Sequence, residues 1–414
     1  MISKNTLKDG GILFIASILG GVSNYLYNII IGRMLGPANY SEVTSLMSVL
    51  LIAAVPSGTV QTVVTKFTAK YNAHNEQYKI QRLIKSVSSR LSIAGVIFFG
   101  IFVSCSRLIS DFIKIESIFP VIFLGIILIP SAVTPVYRGA LQGMQKYFDY
   151  SVSGMVEVFA KLIFGVILVY FGFRTSGAVL GFSLAGIMAL LFTKMQLKDI
   201  LNNNIKTAVI YDGKVLTELY KYSKSVMLNI LCFTILTNSS MILVKHYFLP
   251  EQAGIYASAE IISKIVMFLT GIIPIMIFPK AAALHAKNMD SNRILLKSIA
   301  LVFTVGVLFI LGSFLFGSFI MYLFFGNEYS GSSVFLGPLS IVMTMYSLYN
   351  IMSIYQLSVN SFKFIYGTII LVLLQIGLIT MFHRTLEQVI LIMIISSTLI
   401  VLYNLYCAVS GEEK

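Results

Sequence analysis

Apolar runs of about 18–20 residues or more recur from one end of the chain to the other, each long enough to cross ~30 Å of hydrocarbon as a helix. Polar residues gather in short stretches between them. Strand-like alternation in turn-punctuated segments of ~10 residues, the mark of a membrane β-barrel, is missing. The pattern predicts an all-α polytopic membrane protein with twelve spans, over 10–32, 43–65, 91–107, 118–138, 150–172, 175–194, 222–244, 254–278, 295–325, 334–358, 362–382 and 386–408. The ninth run is longer than one simple crossing needs, and Gly312 and Gly317 are expected to break it. The first run, from Gly10, is too long for a signal-peptide core and is read as a retained helix.

Composition sharpens this picture. Hydrophobic residues make up 57% of the 414 and charged residues 11%, against roughly 25% charged in soluble chains. A deficit that large excludes an ordinary soluble domain. The net charge of +13 would suggest nucleic acid in a soluble protein. Here the charges lie in loops and set topology, so no nucleic-acid partner is expected. With the N-terminus inside, 22 Lys and Arg fall on the inner side and 6 on the outer, while Lys161 and Lys264 lie inside spans. That bias places both termini in the cytoplasm. Cys105, Cys232 and Cys407 sit in or beside apolar runs, without metal-ligand spacing, and predict no disulfide. His74, His246, His285 and His383 are scattered over different loops, so no metal site is expected. No G-x-x-x-x-G-K-[ST] loop and no H-E-x-x-H motif is present. The chain is therefore not expected to be an enzyme, to carry a cofactor or to hydrolyse ATP.

An offset of 214 residues aligns Asn24 with Asn238, Lys66 with Lys280, Lys79 with Arg293, Gln142 with Gln356 and Phe148 with Phe362. Pro37 aligns with Pro250 at 213. Six helices per copy is an even number, so both copies point the same way. The expectation is two parallel six-helix lobes, 1–194 and 222–414, joined by a cytoplasmic linker over 195–221.

Three stretches carry a family resemblance: GRMLGPANYSEVTSLMSVLL from Gly32, TNSSMILVKHYFLPEQAGIYASAEIISKIV from Thr237, and FFGNEYSGS from Phe324. With twelve spans, they resemble the polysaccharide-biosynthesis flippases of the multidrug/oligosaccharidyl-lipid/polysaccharide exporter superfamily. The resemblance implies movement of a polyprenyl-diphosphate-linked oligosaccharide across a prokaryotic plasma membrane, by alternating access between two lobes. It implies lipid-linked glycan and membrane lipids as partners, together with the glycosyltransferases and polymerase of the same pathway. Related sequences often carry Asp where Ser240 stands, which leaves the coupling ion, Na+ or H+, unassigned. Twelve spans rather than fourteen, and no basic residue in the body of the first two, point away from peptidoglycan precursor.

A charged side chain at mid-membrane costs ~2.5–3.5 kcal/mol on insertion scales. Glu157 and Lys161 lie four apart in the fifth span, and Glu260 and Lys264 four apart in the eighth. That spacing puts each pair on one helix face. The pairs read either as self-neutralising packing elements or as cavity groups whose lysines meet the diphosphate. Arg138, at the inner end of the fourth span, reads as an entry contact for the headgroup or as ordinary positive-inside anchoring. Arg33 and Lys245 read chiefly as snorkelling residues at the outer mouth. Asn24, Asn28, Asn238, Gln142, Gln356 and Gln375 offer hydrogen bonds either to sugar hydroxyls or between helices. Pro56 and Pro274 mark possible kinks. Two rival functions remain at this stage. One is a drug or cation exporter of the same superfamily, which calls for an excess of buried carboxylates. The other is a membrane glycan polymerase or ligase, which calls for larger outer loops.

Overall fold

The computed structural model describes residues 4–202, 213–271, 273, 292–359 and 361–410. Its ordered elements are helices: α1 (Lys4–Ala53), α2 (Val55–Ala73), α3 (Gln77–Ser104), α4 (Ser106–Phe112), α5 (Phe119–Ile126), α6 (Leu128–Gly143), α7 (Tyr147–Leu168), α8 (Arg174–Gln196), α9 (Lys198–Asn202), α10 (Gly213–Tyr247), α11 (Pro250–Ser263), α12 (Ile265–Thr270), α13 (Asn292–Phe325), α14 (Ser333–Ser358), α15 (Phe364–Met381) and α16 (Leu386–Ser410). A π turn, Val169–Phe173, joins α7 to α8, and a 3-10 turn, Asn327–Ser332, leads into α14.

Among the described residues, ten continuous helical stretches are long and apolar enough to cross a membrane. Two of them, Ile15–Ala53 and Tyr147–Gln196, run for 39 and 50 residues. Each is broken once, at Gly36 (φ 69°, ψ 170°) and at Gly172 (φ 89°), which turns ten stretches into the twelve spans expected. Positive φ is open to glycine without a Cβ clash. Pro37 follows Gly36 directly and starts the next helical segment, where its missing N–H has no intrahelical partner to lose. Pro250 does the same at the start of α11, so the two prolines aligned at an offset of 213 occupy the same place in each repeat.

Two expectations need correction. The ninth span does not break at Gly312 or Gly317: α13 runs unbroken for 34 residues. A helical glycine costs only ~1 kcal/mol, which a long apolar helix absorbs. Within 195–221, α9 covers Lys198–Asn202 and α10 begins at Gly213. Pro56 does not kink a helix from within. The second crossing breaks at Ala54, and Pro56 stands in the first turn of α2. Pro274, Lys206, His285 and Lys280 lie outside the described residues.

By contacts the chain forms two units, one of residues 1–35 and 53–227, the other of 36–52 and 228–414. In the first, α2, α3 and α6 enclose a core of Val64, Ile80, Ile84, Val136, Ala140 and Leu141, and α8 packs along α7. In the second, α13, α14 and α16 enclose Val302, Leu348, Ile351, Met352 and Tyr355. Counting spans assigns 36–52 to the first half, whereas contacts group it with the second. Its Tyr40 is fully buried against Phe325 and Tyr329, with ring centroids 5.7 and 6.3 Å away.

Candidate functional site

The first unit holds Glu157 and Lys161 on α7, but they do not form the expected pair. Glu157 binds Arg138 of α6, with Nη2 to Oε2 at 2.7 Å. The same guanidinium donates from Nε to the Ser153 hydroxyl (2.7 Å) and from Nη2 to the Ser153 carbonyl (2.9 Å). Ser153 and Glu157 are four apart, so one face of α7 offers three acceptors to one planar fork. Arginine is the side chain suited to that geometry.

Lys161, one turn further along α7, is left without a carboxylate. It is 7% exposed. Its ammonium donates to the Asn24 side-chain oxygen of α1 and lies 4.5 Å from the Tyr27 ring centroid and 5.3 Å from that of Phe182 on α8. Two aromatic faces and one amide oxygen hold the cation. An ammonium has three donors, so this site has capacity for further acceptors. Asn28 donates to the Asn24 carbonyl at 2.8 Å, tying the amide pair into α1.

In the second unit Glu260 and Lys264 do pair, at 3.2 Å. Glu260 is 3% exposed and also accepts from the Ser240 hydroxyl at 3.3 Å. Ser240 is thus wired to Glu260. An aspartate there would set two carboxylates against one lysine.

The remaining polar candidates make hydrogen bonds within the protein, most of them between helices. Gln142 accepts from Gln61 and Thr65 of α2, both at 3.3 Å. Gln356 donates weakly to Asn404 at 3.4 Å, and Asn404 donates to Thr368 at 3.2 Å, linking α14, α16 and α15. Gln375 bonds the Tyr346 hydroxyl and accepts from Ser396 at 2.8 Å. Asn238 turns onto its own helix, donating to the Thr234 carbonyl at 2.9 Å. Lys245 does not snorkel. It is 1% exposed and donates to the Ser41 hydroxyl at 3.0 Å. Tyr27, Phe182 and Ser153 escaped sequence reasoning, because aromatic and small polar residues are too common in membrane helices to stand out. The repeat offset carried a usable signal, since 214 residues separate Lys161 from Gln375 and Phe182 from Ser396. Each pair is in contact in its own unit. The equivalent place is cationic in one repeat and a satisfied neutral amide in the other.

A sequence profile described as polysaccharide biosynthesis protein matches residues 30–334, well over half of the chain. The chain belongs to this family. No curated protein matches it in sequence. Among solved structures it is similar to an inward-facing multidrug-resistance MATE family transporter of the MOP superfamily, at 13% identity and TM-score 0.76, over 94% of this chain and 96% of that one. It is also similar to a MOP superfamily transporter from Pyrococcus furiosus, described as having a binding pocket of reverse polarity that suggests a different function. That match has 15% identity and TM-score 0.67, over 98% and 97% of the two chains. An outward-facing MATE transporter matches at 14% identity and TM-score 0.66, over 98% and 97%. At these identities the likeness establishes the fold: this polysaccharide biosynthesis protein has the multi-pass helical fold of MOP superfamily transporters.

Proposed function

We propose that this family member is a flippase that carries a polyprenyl-diphosphate-linked oligosaccharide from the inner to the outer leaflet of a plasma membrane by alternating access. The observation that supports it most is Lys161. It is a buried ammonium whose neighbouring carboxylate is committed to Arg138, on a transporter fold, in a polysaccharide biosynthesis family. A sugar-diphosphate headgroup cannot shed its water and cross hydrocarbon unaided. Lys161 supplies a charge-assisted donor to the diphosphate, and Asn24 and Asn28 extend hydrogen bonding toward the first sugar. In the second unit Lys264 is already matched by Glu260. A cation exporter on this fold would need free carboxylates, but Glu157 and Glu260 are both bound to cations.

The driving force gives the test. Moving each negative charge outward through a potential, negative inside, is favourable by ~2.3 kcal/mol per 100 mV. Roughly two charges on the diphosphate therefore give a bias on the order of 10³, at ~1.4 kcal/mol per tenfold. Flipping of a polyprenyl-diphosphate oligosaccharide in proteoliposomes is expected to respond to an imposed potential, negative on the donor side, with no sodium or proton gradient. Indifference to the potential together with strict dependence on one ion gradient would overturn this reading.

Orientation is tested separately. In a cysteine-free background, Lys79→Cys is expected to resist an impermeant thiol reagent in intact cells, and Asn327→Cys to react. The 22-to-6 basic bias demands that outcome. Labelling at position 79 would invert the topology.

A further inference from the structure

The second unit carries a cavity of about 380 Å³ whose wall includes none of the residues assigned above. Three segments wall it: Phe248, Gln252 and Ile255 around the start of α11, Gly331 and Phe335 around the start of α14, and Arg384, Thr385, Leu386 and Glu387 at the turn into α16. The turn is pinned by its own backbone. The Arg384 N–H donates to Gln388 Oε1 at 3.0 Å, and the Gln388 N–H donates to Thr385 Oγ1 at 3.2 Å. The longer polar side chains are left unspent. Among the described residues, the Gln252 amide, the Arg384 guanidinium and the Glu387 carboxylate make no hydrogen bond or ion pair within the protein, although the last two line the same cavity.

We infer that this cavity binds a neutral saccharide. Its formal charges cancel, which disfavours a diphosphate or a lone cation. It offers donors from Arg384 and Gln252 and acceptors from Glu387 and Gln252, which suits hydroxyl groups that donate and accept at once. Phe248 and Phe335 supply flat apolar faces for the C–H faces of sugar rings. The polar share of the wall is too large for a lipid chain, and the volume lies in the range of small-molecule sites. Arg384 belongs to the sparsely basic face that topology places outside. The site would therefore meet the glycan after crossing, an assignment that rests on the flippase reading.

Gly331 makes the test clean. A Cβ there would find only Ile255, at 3.7 Å, so its backbone accepts a side chain and a large one projects into the cavity. The chain has no tryptophan, so Phe335→Trp places its one tryptophan, excited selectively over the tyrosines, in the wall. Purified full-length protein is titrated with maltose, lactose and chitobiose. Saturation-transfer NMR on the unmodified chain covers the case in which the tryptophan itself blocks the site. The expected result is saturable millimolar binding of at least one disaccharide. Arg384→Ala or Glu387→Ala should weaken it about tenfold, and Gly331→Leu should abolish it. No binding by either method, or binding that survives Gly331→Leu, overturns the site. Flipping of a sugar-free polyprenyl diphosphate, measured in parallel, separates the two readings. If the sugar-free lipid or the polyprenyl-diphosphate oligosaccharide is flipped without saccharide binding, only this inference fails; if neither is flipped while saccharide binding holds, only the flippase reading fails.

Discussion

Lys161→Met is expected to reduce glycan export by about 10- to 100-fold while leaving the protein as stable as the parent or more so. The export loss follows from removing a charge-assisted contact, worth ~1.5–3 kcal/mol. The stability expectation follows from the surroundings. Lys161 is 7% exposed and forms no salt bridge with Glu157, which is held by Arg138. A buried charge without an ion partner is a desolvation cost, and an apolar chain of similar length relieves it. A lysine kept for packing would behave oppositely, with lower stability and normal transport. Glu157→Gln makes the contrast: it breaks the Arg138 pair and should lower the melting temperature. Export at the parental rate by Lys161→Met, measured in cells at equal expression, would remove Lys161 from the cargo site.

Gly254→Val is expected to be the most damaging single-residue change to the fold, at or beyond the ~1–3 kcal/mol typical of overpacking. A Cβ at Gly254 would lie 2.0 Å from the Pro37 carbonyl oxygen and 2.4 Å from its carbon. Both are backbone atoms, so no side-chain rotation relieves the overlap. The contact holds segment 36–52 in the second unit, beside the Lys245–Ser41 hydrogen bond and the Tyr40, Phe325 and Tyr329 rings. Displacing the segment leaves Lys245 buried without that hydroxyl. Gly312→Ala is the control, since a Cβ there meets nothing within 4 Å, and better helix propensity should raise stability by up to ~1 kcal/mol. Thermal melts of the two variants in detergent check the pair. Equal melting temperatures would show that the close approach of α11 to Pro37 does not bear on stability.

The residues that escaped the sequence reading share a cause. Glu157 and Lys161 looked like a pair because local spacing is visible in a sequence, whereas the competing partner, Arg138, is 19 positions away on another helix. Glu260 and Lys264 were read correctly because a hydroxyl, Ser240, and not a second cation, faces that carboxylate from the neighbouring helix. Gln142, Gln356 and Gln375 kept two open readings until their partners were known, and all three proved to tie helices together.

What the amino-acid order determined by itself is whatever the bilayer enforces residue by residue: helical spans, their number, and the duplicated plan that places Pro37 and Pro250 alike. Water-free hydrocarbon requires every backbone group to be satisfied within its own segment, so apolar length alone specifies a helix. Tertiary structure alone decided which cation is paired with a carboxylate and which is not, and that 36–52 packs with the second unit. It also decided that three helix starts wall the cavity at Arg384. Those outcomes depend on side chains far apart in sequence meeting at a few ångströms, and between apolar helices a single carboxylate or carbonyl within reach outweighs any local spacing rule.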